Sequence, residues 1–115
     1  MLSKKNRFHG HNSLSFVYRN GRGVRNSLLG LKYIANPRRV DHRFAIVIGK
    51  KVVKSAVRRN LARRRIYEVV RQELSQLSGS HDVVVTVFSS EILGLDHESL
   101  VKQIKQLFSQ AQIYK

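Results

Sequence analysis

The sequence predicts an α/β fold in which helices pack on a small sheet, as a single domain over residues 1–115. Residues 43–49 and 82–88 are apolar on both faces, as in the central strands of a sheet. Between and after these two runs, apolar residues recur with the 3.6-residue period of amphipathic helices. A chain of 115 residues, 42% of them hydrophobic, is sufficient for one core. Strands alternating with helices are typical of helices layered on a sheet.

A short helix is the first predicted element, after a loose basic arm over residues 1–11. Asn12 or Ser13 can cap this helix, because both side chains accept hydrogen bonds from backbone N–H groups. Its apolar positions recur at i, i+3 and i+4: Leu14, Val17 and Tyr18. The Asn-Gly pair at residues 20–21 ends the helix.

A strand over residues 28–34 is predicted to have one packed and one open face. The packed face carries alternating apolar side chains: Leu29, Leu31 and Tyr33. Gly30 and Lys32 share the other face, where a missing side chain beside a lysine is typical of an open surface. The Asn-Pro pair at residues 36–37 ends this strand.

A long helix is predicted to begin near Ser55 and to end near residue 77. Its buried stripe consists of apolar residues at helical spacing: Ala62, Ile66, Val69, Val70, Leu74 and Leu77. The Ser-Gly-Ser sequence at 78–80 ends it, and Asp96 caps a last helix after the next strand. The core face of that helix is formed by Leu100, Ile104, Leu107, Phe108 and Ala111.

Positive charge is concentrated in one part of the chain. The chain has 22 Lys and Arg against 7 Asp and Glu, for a formal net charge of +15. Residues 1–65 contain 18 of the basic residues and a single acidic one, Asp41. Between Lys50 and Arg65 every charged residue is a cation. A dense cationic surface on a folded element is typical of proteins that bind a nucleic-acid backbone.

The long helix is predicted to hold part of this charge on one face. A stripe beside the buried one is formed by Asn60, Arg64, Tyr67 and Arg71, with Arg63 at its margin. Arginine can grip phosphate oxygens through two hydrogen bonds, and the helix N-terminus adds partial positive charge. A membrane-binding helix would need a wide exposed apolar face, whereas the apolar face here belongs to the core.

Composition and the placement of the acids argue against several classes of protein. The sequence has no cysteine and no apolar run near the ~20 residues of a membrane span. Its N-terminus lacks the apolar core of a signal peptide, so we expect a cytoplasmic protein. The seven acidic residues do not converge, and we therefore expect neither a catalytic residue nor a metal site on the protein alone. His9 and His11 lie in the basic arm without an evident acid or base partner.

Residues 43–72, RFAIVIGKKVVKSAVRRNLARRRIYEVVRQ, closely resemble the signature region of the protein subunit of bacterial ribonuclease P. In that family a strand leads through a Lys-Lys pair into a helix that opens on an Arg-Asn-Arg motif. Arg59 and Asn60 match the first two positions of the motif, whereas Leu61 stands where the family usually has arginine. Further segments are similar to the family's other elements: residues 14–34, 80–90 and 97–115.

The resemblance implies an α/β fold, an α+β two-layer sandwich with four strands in the order αβββαβα and a left-handed βαβ crossover. It also implies binding to a catalytic RNA and to the 5′ leader of precursor tRNA, whose removal gives the mature 5′ end. The RNA-binding surface expected on this basis comprises Lys50, Lys51, Lys54, Arg58, Arg59, Asn60, Arg63, Arg64, Arg65 and Arg71. The leader cleft implied between the first helix and the sheet has Leu14, Tyr18 and Lys32 at its positions, although an aromatic residue is common at 14 and 32, and Phe16 is the candidate to replace it. The alternative is that Leu14, Phe16 and Tyr18 only anchor the short helix to the core.

The partners implied by the resemblance are ribonuclease P RNA and precursor tRNA, with Mg²⁺ held mainly by the RNA and no organic cofactor. We expect no membrane, DNA or obligate protein partner. A ribosomal or other structural RNA-binding protein stays open as an alternative, because its size and charge would be similar. A DNA-binding factor would need an exposed helix in a defined dimer, for which the sequence has no signal. A protein-only nuclease would need converging acidic residues.

Overall fold

The computed structural model describes residues 6–7 and 11–115, and within them three helices and a four-stranded sheet. In chain order these are α1 (His11–Asn20), β1 (Arg22–Arg25), β2 (Leu29–Ala35), β3 (Arg43–Ile48), α2 (Ala56–Glu73), β4 (His81–Val87) and α3 (His97–Ala111). Short 3₁₀ turns follow α2 and β4, at Leu74–Gln76 and Ser90–Gly94. The order αβββαβα confirms the predicted fold class.

The strands form one mixed sheet in the order β1-β2-β4-β3. β2 pairs antiparallel with β1 and with β4, whereas β3 pairs parallel with β4. α2 connects these two parallel strands, as a crossover between parallel strands requires. The left hand of that crossover stays a prediction.

The core lies on both sides of the sheet. α2 and α3 cover one face, and the predicted core face of α3 is buried in full. The predicted stripe of α2 is buried there as well, except for Leu74, which is half-buried. α1 covers part of the opposite face, where Val17 packs against Ala45 and Val84. The sheet with α2 and α3 therefore forms the sandwich, and α1 leaves part of the second face open.

Each of the longer helices begins at a side-chain cap: Asp96 was predicted as one, and Ser55 lies where the long helix was predicted to begin. The Ser55 hydroxyl accepts a hydrogen bond from the N–H of Arg58 at the start of α2. The Asp96 carboxylate accepts one from the N–H of Ser99 at the start of α3, which lowers the pKa of Asp96. No helix in the described part of the chain is long and apolar enough to cross a membrane.

The N-terminal region differs from the expectation of a loose arm over residues 1–11. Asn6 is buried and donates from Nδ2 to the carbonyl oxygen of His42 at 2.8 Å. Arg7 forms a parallel β-bridge with Phe44, on the free edge of the sheet. An edge strand such as β3 has unpaired backbone groups, and Asn6 and Arg7 pair with backbone at and just before its start. Residues 1–5 and 8–10, His9 among them, lie outside the described residues.

The limits of the first elements also differ from the pattern. α1 begins at His11, so residues 12 and 13 lie within the helix and neither is the residue before it. β1 was not separately visible in the sequence pattern, since it has four residues and Val24 alone is apolar. Its pairing with β2, and not its own composition, makes it a strand.

Candidate RNA interface

The connection between β3 and α2 is fixed against the first turn of the helix. Val53 is buried in the core, and the guanidinium of Arg59 donates to the carbonyl oxygens of Val53 and Lys54, at 2.8 and 2.9 Å. Lys50, Lys51 and Lys54 are exposed on this connection. The three lysines therefore extend from backbone that is held in place relative to α2.

The first turns of α2 carry polar and cationic side chains away from the core. Arg58, Asn60 and Arg64 are exposed, and Arg63 is half-buried. Arg63 donates from Nη2 to Oδ1 of Asn60 at 2.6 Å. The amide of Asn60 thereby orients a neighbouring guanidinium.

Two residues predicted for this surface have partners within the protein. Arg65 donates to the carbonyl oxygens of Ile92 and Leu95, and so attaches α2 to the segment after β4. Arg71 pairs with Glu68 through two hydrogen bonds, and this contact lowers the pKa of Glu68 to about 2. Glu68 is ionised at neutral pH and offsets the charge of Arg71. The unbalanced positive charge of α2 is therefore confined to its first turns and the preceding connection.

The exposed side of α2 also carries apolar residues. Val57 is 78% exposed and Leu61 is 56% exposed, one helical turn further along. Tyr67, which the helical stripe places in solvent, is half-buried against the core instead. Burial raises the pKa of its phenol, and a hydrogen bond with the backbone of Ile46 opposes that effect. Tyr67 lies at the edge of the sheet beside β3, which explains the difference from the predicted stripe.

A second candidate surface is a groove of 480 Å³ on the sheet face that α1 leaves open. Tyr18 and Lys32, both predicted for the cleft, line it together with Thr86. The hydroxyl oxygens of Tyr18 and Thr86 lie 3.1 Å apart, in a hydrogen bond that joins α1 to β4. The side chain of Lys32 lies across Gly23, where an added Cβ would be 3.2 Å from its Cε atom.

One end of the groove is formed by an aromatic ring with a cation on it. The guanidinium of Arg25 lies 4.0 Å from the centre of the Phe88 ring. The ring rests on Gly30, because an added Cβ there would come within 2.6 Å of Phe88 Cε2. Phe88 remains 38% exposed. A nucleobase can stack on an exposed ring of this kind, and an adjacent cation strengthens such a contact.

The other two residues predicted for the cleft do not line the groove. Leu14 lies on the side of α1 that faces the sheet, where it packs with Val17, Ala45 and Val84 and so anchors the helix. Phe16 is 53% exposed and points away from the groove-lining set. α1 has a 3.6-residue period, so Leu14 and Tyr18 share a side of the helix that Phe16 does not.

Gly30 was recognised in the sequence as marking an open face, whereas six other groove residues were not predicted: Gly23, Val24, Arg25, Leu31, Thr86 and Phe88. Their juxtaposition follows from the register of the strands, in which Arg25 pairs with Gly30 and Gly30 with Thr86. β2 and β4 are some fifty residues apart in the chain, and no local pattern reports that register. Alternation on β2 was the available signal, and it identified the correct face.

Several acidic side chains of the described residues have structural partners. Asp82 pairs with Arg43, and Glu73 accepts a hydrogen bond from the Tyr114 hydroxyl. Within residues 6–7 and 11–115, no group of three or more His, Asp or Glu side chains can hold a metal ion. The two candidate surfaces instead offer cations, hydroxyls and an aromatic face, which suit phosphates and unpaired bases.

An α+β fold with a fixed cationic surface and an open groove beside an aromatic ring is typical of an RNA-binding protein. The family model described as ribonuclease P matches residues 2–112. The chain belongs to the ribonuclease P protein family. It is accordingly the protein component of a ribozyme, an endoribonuclease that processes the 5′ end of precursor tRNA.

Two cyanobacterial relatives are similar over most of their length. The ribonuclease P protein component of Synechocystis sp. is 37% identical over 98 residues, which cover 84% of this chain and 77% of the relative. That of Pseudanabaena sp. is 32% identical over 113 residues, covering 98% and 97%. The family assignment therefore extends over the whole fold and is not confined to α2.

Solved structures show the same fold at lower identity. The ribonuclease P protein of Staphylococcus aureus is 19% identical, with a TM-score of 0.85 over 96% of this chain and 98% of that one. The protein of Thermotoga maritima is 21% identical, with a TM-score of 0.79 over 90% and 96%. At these identities the likeness concerns the backbone arrangement alone.

Proposed function

We propose that the first turns of α2 and the connection before it bind the RNA subunit of ribonuclease P. This cationic surface consists of Lys50, Lys51, Lys54, Arg58, Arg59, Asn60, Arg63 and Arg64. The observation that carries the proposal is its rigidity: Arg59 fixes the lysine-bearing connection to the helix, and Asn60 orients Arg63. Cations on a fixed backbone lose less conformational entropy when they bind phosphates.

Arg65 and Arg71 lie at the border of this surface. The guanidinium of Arg65 is committed to two carbonyl oxygens, and a new partner would have to replace those hydrogen bonds. Arg71 shares its charge with Glu68. Both residues were predicted to bind RNA, and their contacts support a smaller contribution than that of Arg63 or Arg64.

The groove is proposed to bind the 5′ leader of precursor tRNA. A leader is single-stranded, and single strands are held by cations along the backbone and by aromatic rings under the bases. Lys32 and Arg25 supply the cations, Phe88 and Tyr18 the aromatic groups. Leu14 supports the groove indirectly, because it holds α1 on the sheet.

Mg²⁺ is proposed to be held mainly by phosphates of the RNA subunit. The support comes from the acids of the protein, since Asp82, Glu68 and Asp96 are engaged by Arg43, Arg71 and the N-terminus of α3. The proposed partners are ribonuclease P RNA and precursor tRNA, in the cytoplasm. The ribonuclease P family model matches residues 2–112, and no observation favours a purely ribosomal role instead.

Leader cleavage with purified components tests the proposed function. A precursor tRNA is incubated at low Mg²⁺ with bacterial ribonuclease P RNA, with this protein, and with both. We expect cleavage at low Mg²⁺ only when RNA and protein are both present. Equal cleavage by the RNA with and without the protein would contradict the proposal, and cleavage by the protein alone would contradict the assignment of catalysis to the RNA.

Two exposed arginines of α2 form a matched pair for the RNA surface. Arg64→Ala should weaken binding to the RNA subunit and lower the slope of log K against log salt by about 0.7 to 0.9, as removal of one phosphate contact does. Arg71→Ala should change both less, because Glu68 already offsets the Arg71 charge. An equal effect of the two substitutions would contradict the placement of the cationic surface at the first turns of α2.

A further inference from the structure

Two exposed apolar side chains lie within the cationic surface. Val57 and Leu61 are separated by one turn of α2, on the side of the helix opposite its buried stripe. At 78% and 56% exposure, neither contributes much to the core. We call them the apolar pair.

The surroundings of the apolar pair favour a negatively charged partner. Lys54, Arg58 and Arg64 are exposed at neighbouring positions, and the sequence has no acidic residue from 42 to 67. A second copy of this chain would bring like charges together at this surface. Two side chains also provide far less than the ~800 Å² per partner of a stable protein interface. The charge therefore selects RNA over another copy of the protein.

An RNA offers a flat apolar face only where a base is unpaired, because the faces of paired bases are stacked within the helix. We propose that the apolar pair contacts the face of an unpaired nucleobase of the ribonuclease P RNA, while the flanking arginines bind phosphates. This inference rests on the function proposed for the cationic surface. Leu61 stands where the resemblance leads one to expect arginine. An arginine–phosphate contact, which salt weakens, is thus replaced by an apolar contact between leucine and a base, which salt affects little.

Alanine substitutions at exposed sites test the contact without threatening the fold, since alanine favours helix formation. Leu61→Ala should raise the dissociation constant for ribonuclease P RNA roughly fivefold to tenfold, because less apolar surface is then buried against the base. The increase should be the same at every salt concentration, with an unchanged slope of log K against log salt. Leu61→Gln, which conserves volume, should behave similarly, and Val57→Ala should have a smaller effect in the same direction.

Val40→Ala is the matched control for Val57→Ala, because Val40 is 91% exposed but lies outside α2. It should leave the affinity unchanged. Leu61→Arg should instead steepen the salt slope by about 0.7 to 0.9, because it adds a phosphate contact. Affinity for an RNA duplex without unpaired bases should not change with Leu61→Ala.

The outcomes separate this inference from the function on which it rests. If Arg64→Ala weakens RNA binding and Leu61→Ala does not, the cationic surface stands and the base contact is wrong. If Leu61→Ala weakens binding to duplex and to ribonuclease P RNA equally, the contact with an unpaired base is also wrong. If neither substitution affects binding, both proposals are contradicted.

Discussion

Gly30 determines how Phe88 sits in the groove. An added Cβ at this position would lie 2.6 Å from one ring carbon of Phe88 and 2.9 Å from another, much closer than such atoms approach. The ring can lie on the sheet only because Gly30 has no side chain. Arg25 then stacks on the ring at 4.0 Å, so three residues from three strand segments form one unit.

Gly30→Ala should displace the Phe88 ring and separate it from Arg25. We expect the affinity of the holoenzyme for precursor tRNA to fall roughly threefold to tenfold, as when one base no longer stacks. Its affinity for mature tRNA and for the RNA subunit should not change. Gly94→Ala is the control, because nothing lies within 4 Å of an added Cβ there. Similar behaviour of the two variants in a binding titration would contradict the role of Phe88.

His42 and His81 form a stacked pair beside the ends of β3 and β4. Their ring centres are 5.7 Å apart with planes 2° from parallel, and the backbone N–H of His81 donates to Nδ1 of His42. Burial lowers the pKa of both imidazoles, and the neighbouring His81 lowers the pKa of His42 further. The folded protein therefore favours both rings in the neutral form.

The histidine pair predicts a pH dependence of stability. The folded-state pKa lies below the unfolded value of about 6.5, so the unfolded chain binds more protons between the two values. The free energy of unfolding should be level above that window and fall as pH decreases through 6.5. Urea denaturation at pH 7.5 and 5.5 measures it. His97→Gln, at an exposed site, should retain the decrease, and His42→Asn should reduce it; equal stability of the unmodified protein at both pH values would refute the assignment.

At the scale of elements, the N-terminus of α2 combines a structural cap with a binding surface. Ser55 accepts the N–H of Arg58 through its hydroxyl and lies between Lys54 and the arginines of the first turn. Serine caps the helix without adding charge, whereas aspartate, an equally good cap, would place a carboxylate in the cationic surface. The two roles of Ser55 can therefore be separated by substitution.

Ser55→Ala and Ser55→Asp should have opposite effects. The alanine variant should be less stable by about 0.5 to 1 kcal/mol of unfolding free energy, since one helix N–H loses its partner, and should bind the RNA subunit nearly as before. The aspartate variant should keep its stability but bind the RNA more weakly, because it repels phosphates. Denaturation and RNA titration on both variants check this, and tighter RNA binding by the aspartate variant would contradict the cationic surface.

The elements differ in how far the sequence alone predicted them. The core face of α3 was predicted completely, because five apolar residues follow the helical period without interruption. The cap at Asp96 and the start of the long helix near Ser55 were predicted because helix starts have local sequence signals. β1 was missed as a separate pattern because Val24 is its only apolar side chain. The groove was predicted at Tyr18, Lys32 and the Gly30 gap but not at its other residues, because it depends on pairing between distant strands.

The partners of the arginines could not be predicted from spacing. Arg65 is close in sequence to Arg63 and Arg64, yet its guanidinium binds carbonyl oxygens of residues almost thirty positions away. Arg59 likewise holds the backbone of the preceding connection. Periodicity gives the direction of a long side chain from the helix, but the tertiary fold decides which acceptors it meets.

On the scale of the whole molecule, the two proposed binding surfaces lie on different sides of the sheet. α2 and the cationic surface are on the face that α3 also covers, and the groove is on the face that carries α1. We expect the net charge of +15 to attract both RNAs, and the local contacts to decide which surface each one occupies.

The most direct test of the account is to compare two double variants, one in the cationic surface and one in the groove. One variant carries Arg63→Ala and Arg64→Ala, and the other carries Tyr18→Ala and Phe88→Ala. For each we would measure the affinity for the RNA subunit, and the affinity of the saturated holoenzyme for precursor and for mature tRNA. The arginine variant should bind the RNA subunit more weakly, with little change in the preference for precursor over mature tRNA. The aromatic variant should retain its affinity for the RNA subunit and lose that preference. If both variants lose the same one of these two properties, the two-surface account is contradicted.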